Sequence, residues 1–208
     1  MATAAPSLTR FDAPDPSSAI ILMLHGGKPN SRAIVDERSA SWQRTAWMAR
    51  SIADRAHVGG ADVWLLRYRE RGWNGGADRV ADTRRALDEV RVTHGDRPVI
   101  LLGHSMGARV AVHVADDPSV VGVVGLAPWW SGEDPVSALA GRSLIAAHGR
   151  RDRLTSFAQT RQFVDRARRV TADAEFVDMG SRGHYMLSGA NAWNDVAIES
   201  SLRILTPA

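Results

Sequence analysis

Apolar stretches of strand length recur along the chain with helical stretches between them, and this alternation constrains the fold more than any other feature. AIILMLHGG (19–27), DVWLLRYR (62–69), PVILLG (98–103), SVVGVVGLAP (119–128), SLIAAHG (143–149) and AEFVDMG (174–180) each read as a strand. SWQRTAWMARSIADRA (41–56), ADRVADTRRALDEVRVTHG (77–95), Met106 to Ala115, SFAQTRQFVDRARRV (156–170) and Ala190 to Leu205 read as helices. In the first of these, Trp42, Ala46, Ala49, Ile52, Ala53 and Ala56 share one stripe. Gly95 closes the second helix, and Ser156 is the expected N-cap of the fourth. Strands that are apolar throughout, alternating with amphipathic helices, imply an α/β fold: a mostly parallel sheet of about six strands with helices on both faces. At 208 residues the chain suits one domain. Residues 19–208 form that domain, and the Pro- and Ser-rich residues 1–18 form an N-terminal arm with room for one short edge strand.

Sheets of this kind bind ligands outside the carboxyl ends of their strands, so the segments that follow each strand carry the functional information. They are His25-Gly26-Gly27-Lys28, ERGWNGG (70–76), GHSMG (103–107), Pro128-Trp129-Trp130, HGRRDRLT (148–155) and SRGHYML (181–187). A serine, an aspartate and a histidine thus fall in separate loops on one edge of one sheet. A serine hydroxyl is a poor nucleophile near neutral pH and needs a base beside it. His184 can take the Ser105 proton and later return it to a leaving group, while Asp152 would hold the imidazole in the required tautomer. Asp178 and Asp134 stand as substitutes if the loop after 148 runs differently. Glycines at 103 and 107 suit a tight strand-to-helix turn that exposes Ser105 at a helix N-terminus. The backbone N–H of Met106 is then one oxyanion donor, and that of Gly27, just past the first strand, the second.

GHSMG matches the G-x-S-x-G nucleophile elbow, and the order Ser, Asp, His runs along the chain. LHGGKPNS is similar to an HG-type oxyanion loop, HGRRDRLT to an H-G-x-x-D acid loop, and GHYML to a G-H histidine loop. Over residues 19 to 205 the chain resembles the α/β-hydrolase superfamily, as a small lidless serine esterase-like member. The resemblance implies a hydrolase that cleaves carboxylic esters of small or short-acyl substrates through an acyl-serine intermediate. A thioesterase, acyltransferase or C–C bond hydrolase would use the same triad, and a non-catalytic ligand-binding version of the fold is the reading from a different class. Two departures from the family bear on the site. The space before residue 19 is too short for the usual pair of N-terminal antiparallel strands, which implies a reduced sheet. Only Trp129 to Arg142 separate the fourth strand from the fifth, which leaves no room for a cap domain. Serine at 105 also argues against dehalogenase chemistry.

Composition narrows the remaining classes. Hydrophobic residues make up 44% and charged residues 24%, which is ordinary for a folded domain and argues against disorder. Lys28 is the only lysine, so the net charge of +3 is carried by arginine and reads as coding bias rather than a nucleic-acid surface. With no cysteine, thiolate catalysis and Cys-ligated metal are excluded, and no histidine pair has metal-ligand spacing, so neither metal nor cofactor is expected. The longest apolar run, residues 19–24, is too short to span a bilayer, and the first residues lack signal-peptide architecture. A cytoplasmic protein acting on a small-molecule ester, with no nucleic-acid or membrane partner, is expected; oligomeric state is not legible. Trp73, Trp129, Trp130, Tyr185 and Met186 lie in the strand-end loops and are the candidate apolar wall for substrate. Trp42, Trp47 and Trp64 lie within elements and read as packing residues. Arg67, Tyr68 and Arg71 lie near the same edge, where an arginine could attract a carboxylate but a loop salt bridge is the expected use. His25 and His148 are expected to brace loops, His57 and His94 to face solvent near helix ends, and His113 to pack on its helix.

Overall fold

A computed structural model describes residues 5–206. Its elements run in the order β1 (Ser7–Phe11), β2 (Ala19–Leu24), α1 (Ala40–Val58), β3 (Ala61–Arg67), α2 (Ala77–His94), β4 (Val99–His104), α3 (Met106–Val114), β5 (Val120–Leu126), β6 (Ser143–His148), α4 (Phe157–Ala167), β7 (Asp173–Asp178) and α5 (Ala190–Leu205). The seven strands form one sheet in the order β1-β3-β2-β4-β5-β6-β7. The six expected strands are all parallel, and the arm contributes the seventh, β1, which runs antiparallel along the edge of β3 from Ser7↔Arg67 to Phe11↔Val63.

The two faces of the sheet explain why the central strands are apolar at every position. Ile20, Leu22 and Leu24 of β2 face the buried layer that also holds Leu87 and Val90 of α2, residues of α3, and, over the far strands, Phe163 and Val164 of α4. Ile21 and Met23, which alternate with them, pack with Ala49 and Ile52 of α1 and Trp193 and Ile198 of α5. Both faces are covered, so β2 and β4 are buried at all six positions. Edge strand β7 is only partly buried. Burying a large aliphatic side chain is worth about 1.5–3 kcal/mol, so these two layers supply most of the drive to fold. As expected, α2 ends at Gly95, whose φ is 72°, and the Ser156 side chain caps α4 by accepting from the Gln159 N–H.

The strand order reverses between β2 and β4. From β2 the chain moves outward to β3 and then crosses back to β4 on the other side of β2. Such a reversal opens a crevice at the carboxyl ends of the two central strands. Between β5 and β6 the chain passes only through residues 127–142, with one 3-10 turn at Ser137–Leu139, and no cap domain stands over that edge.

Candidate active site

Ser105 is the single residue between the end of β4 and the start of α3. Its backbone has φ 54° and ψ −115°, a region that costs a non-glycine residue on the order of 1–3 kcal/mol. Surrounding bonds impose it. The Ser105 N–H donates to the Leu126 carbonyl at 3.0 Å, and the Ser105 carbonyl accepts from Trp129 N–H at 3.2 Å. Two glycines permit the sharp turn. A Cβ at Gly103 would lie 2.4 Å from the Ala108 nitrogen, and one at Gly107 would lie 2.0 Å from the Leu24 carbonyl oxygen. The turn thus depends on α3 lying almost against the backbones of β2 and β4.

His184 comes from the loop after β7 and Asp152 from the loop after β6. The Ser105 hydroxyl lies 3.1 Å from His184 Nε2, and His184 Nδ1 lies 2.7 Å from Asp152 Oδ2. The Asp152 side chain is inaccessible to solvent. Its Oδ1 accepts from the N–H groups of Leu154 (2.8 Å) and Thr155 (2.9 Å), and its Oδ2 also accepts from the Thr155 hydroxyl (2.8 Å) and His148 Nε2 (3.1 Å). Burial alone would raise the carboxyl pKa. The hydrogen bonds, those from His148 and His184 foremost, outweigh it and hold Asp152 well below the usual carboxylate range. An ionised Asp152 accepts only, so His184 carries its proton on Nδ1 and leaves Nε2 free to accept from Ser105.

Three further histidines build the frame. His148 Nδ1 accepts from the Thr160 hydroxyl at 2.7 Å, which leaves its Nε2–H for Asp152. His104 is buried and donates Nε2–H to the His184 carbonyl at 3.0 Å. Burial, followed by the neighbouring His184, lowers its pKa to about 3, so it is a neutral strut. His25 is fully buried, which lowers its pKa to about 4; its Nδ1–H donates to the Gly26 carbonyl at 2.6 Å and its Nε2 accepts from Tyr68 N–H at 3.3 Å.

Leu24 of β2 pairs with Gly103 of β4, so the Gly26-Gly27 loop runs beside the elbow. The loop is fastened to the one after β3: Lys28 N–H donates to the Arg71 carbonyl and Trp73 N–H to the Lys28 carbonyl, each at 2.8 Å. The N–H of Met106, as the first of α3, has no carbonyl within its own helix, and that of Gly27 has no acceptor among the described residues. A cavity of about 260 Å³ opens beside Ser105 and His184, lined by Gly27, Arg44, Leu154, Tyr185 and the start of α1.

The expected tryptophan wall is not there. Trp130 is buried, stacks on Phe163 with centroids 4.3 Å apart, and donates its indole N–H to the Ala108 carbonyl. Trp73 and Trp129 enclose the Arg109 guanidinium, each ring 4.7 Å from its carbon, and Arg109 in turn donates to Asp134 at 2.8 Å. Met186 turns back into the core with a positive φ of 59°. Of the five candidates only Tyr185 lines the cavity. Trp47, expected to pack, is 67% exposed. The two substitute aspartates are engaged elsewhere, Asp134 by Arg109 and His113 and Asp178 by Arg150. Arg71 lines the cavity but bonds to Asp36 and the Ile34 carbonyl, the loop salt bridge expected of it. His57 and His94 are each only partly exposed, His57 facing the Phe11 carbonyl and His94 facing Arg97. Among the described residues one group of possible metal ligands converges, Asp12, Asp62 and His94, at the opposite edge of the sheet. Its carboxylates are already held by Trp64, Ala13 and Ser17. The sequence assigns no role to Thr155, Thr160 or Arg44; Thr155 ends the HGRRDRLT loop, whereas Thr160 and Arg44 lie within helices and carry no local signal.

The family model for the alpha/beta hydrolase family matches residues 21–204. The chain belongs to that family. Solved structures similar to this alpha/beta hydrolase include an alpha-beta serine hydrolase homologue from Coxiella burnetii, with a TM-score of 0.71, 18% identity and coverage of 94% of this chain and 90% of that one. A serine hydrolase without a lid from Xanthomonas campestris gives 0.69 at 17% identity, covering 98% of this chain and 96% of the other. A thermophilic esterase from Thermogutta terrifontis with bound propionate gives 0.70 at 17% identity, covering 96% and 88%. No curated protein sequence matches the chain significantly.

Proposed function

We propose that this hydrolase cleaves small carboxylic esters through an acyl-serine intermediate, with Ser105 as nucleophile, His184 as general base and then acid, and Asp152 as its orienter. The observation that carries the proposal is the continuous hydrogen-bonded chain from Ser105 Oγ through the His184 ring to a buried, ionised Asp152. In the first step the Ser105 O–H bond breaks, its proton passes to His184 Nε2, and Oγ forms a bond to the ester carbonyl carbon. The N–H groups of Met106 and Gly27 would receive the negative oxygen. Each such donor contributes roughly 3–4 kcal/mol to barrier lowering. Collapse breaks the bond to the alcohol, which takes the proton from His184. Water then attacks the acyl carbon and gives its proton to the same nitrogen; the bond from the acyl carbon to Oγ breaks, His184 returns the proton to Ser105, and the acid leaves. Asp152 favours the imidazolium at both stages without accepting its proton. The absence of a cap over the β5–β6 edge and the modest cavity favour short acyl groups.

The test is hydrolysis of a graded series of p-nitrophenyl esters by the wild type and Ser105→Ala. Turnover confined to short acyl chains and abolished by the substitution is expected. Full turnover by Ser105→Ala would overturn the assignment.

A further inference from the structure

The cavity beside Ser105 is lined by three cationic side chains, Lys28, Arg44 and Arg71, and by no aspartate or glutamate. These three are not equivalent. Lys28 is exposed at the rim, and Arg71 is already paired with Asp36 and bonded to the Ile34 carbonyl. Arg44 differs from both. It projects from the first turns of α1, is half-buried, and forms no hydrogen bond or ion pair among the described residues. Its Nε is inaccessible and unpartnered. The guanidinium lies 4.8 Å over the ring of Tyr185, the residue next to His184, so it stands across the cavity from α1 toward the catalytic loop. Arg55, on the same helix, shows the usual alternative, paired with both Asp195 and Glu199.

Taking a guanidinium partly out of water without an anion is unfavourable, and the aromatic face returns only part of that cost. Burial accordingly pulls the Arg44 pKa below its ordinary value, yet an arginine stays protonated at any working pH. Asp36, which accepts from the Ser39 hydroxyl at the N-terminal end of α1, is already paired with Arg71, and the first turn of α1 carries no acidic residue to pair with Arg44. A cavity with this lining has an unfilled requirement for negative charge within reach of the nucleophile.

We propose that Arg44 is a specificity-determining residue, and that the ester cleaved at Ser105 carries a carboxylate which pairs with the Arg44 guanidinium. This rests on Ser105 being the nucleophile. The planar fork of arginine matches a carboxylate in two parallel hydrogen bonds, whereas the Lys28 ammonium at the rim would act as a steering charge.

The test compares matched pairs of esters that differ only in charge. One pair places it on the acyl side: the mono-p-nitrophenyl ester of glutaric acid against its neutral terminal amide. The other places it on the leaving group: 4-acetoxybenzoate against 4-acetoxybenzamide. At low salt the anionic member of at least one pair should show a kcat/KM higher by about ten-fold or more. The pair that responds identifies which side of the scissile bond meets Arg44. In Arg44→Gln that ratio should fall to near one, in Arg44→Lys it should be partly retained, and in Arg44→Glu it should drop below one. A wild-type ratio at or below one in both pairs would overturn the proposal, as would a ratio that Arg44→Gln leaves unchanged. Labelling of Ser105 by a fluorophosphonate probe separates this failure from failure of the ester-hydrolase reading. Labelled enzyme with no charge preference refutes only the role of Arg44, whereas unlabelled Ser105 refutes the reading beneath it.

Discussion

Among the described residues Asp152 makes more hydrogen bonds than any other side chain near Ser105, and its donors hold it in the charged form. Two backbone N–H groups, one hydroxyl and two imidazoles converge on one inaccessible carboxylate. Asp152→Asn keeps the volume but replaces an acceptor-only group with one that must also donate. The His184 ring is then no longer held with its proton on Nδ1. Turnover of p-nitrophenyl esters is expected to fall by roughly 10⁴-fold in Asp152→Asn while the circular dichroism spectrum is preserved. Near-normal turnover would move the orienting role elsewhere. Asp152 was legible in the sequence because H-G-x-x-D and a strand end coincide there. Arg44 was not, because its significance lies in a missing partner, and a missing partner is a property of the folded surroundings. The tryptophans illustrate the same limit. Trp73 and Trp129 occupy the expected loops, but both rings stack on Arg109, a pairing between loops and a helix that no local pattern encodes.

At the scale of elements, Ser105 is positioned by close approach. The first residues of α3 pass so near β2 that Gly107 has no room for a side chain. Gly107→Ala would drive a methyl group to 2.0 Å from a backbone carbonyl, where no rotamer can relieve the clash. Such overpacking against rigid backbone is expected to cost about 3 kcal/mol, read as a fall in the urea midpoint, and to reduce ester turnover by moving Ser105 away from His184. A variant of wild-type stability would show that α3 can shift without penalty. The strand and helix succession was readable because burial on both faces forces continuous apolar runs. β1 was the exception. As a partly buried edge strand it needs no such run, and its five residues carried only the weak expectation of a short strand.

At the scale of the whole molecule, the buried neutral histidines His25 and His104 make stability depend on pH. His25 and His104 have native pKa values lowered to about 4 and about 3, while an unfolded histidine titrates near 6.5. Between those limits the unfolded chain binds more protons than the native one, so stability falls as the pH drops below about 6.5. Each histidine should cost about 2 kcal/mol between pH 7 and pH 5. Asp152 works in the same direction at lower pH. Its native pKa is depressed, so its contribution is present above the ordinary carboxylate range and is lost on acidification below about 4. Urea unfolding at pH 7, 6 and 5 should therefore show a falling midpoint, and His104→Gln should flatten that slope. A midpoint independent of pH over this range would mean that the two histidines are not held neutral in the native state. The sheet, the two helical layers and the reversal of strand order between β2 and β4 together bring three loops to one serine.

That serine offers the most direct test. Intact-mass and peptide mass spectrometry after treatment with a fluorophosphonate probe should find a single adduct on Ser105, formed rapidly by the wild type and not by Ser105→Ala or His184→Ala. Absence of the adduct in folded wild-type protein, or equal labelling of His184→Ala, would contradict the claim that Ser105 is a nucleophile activated by His184.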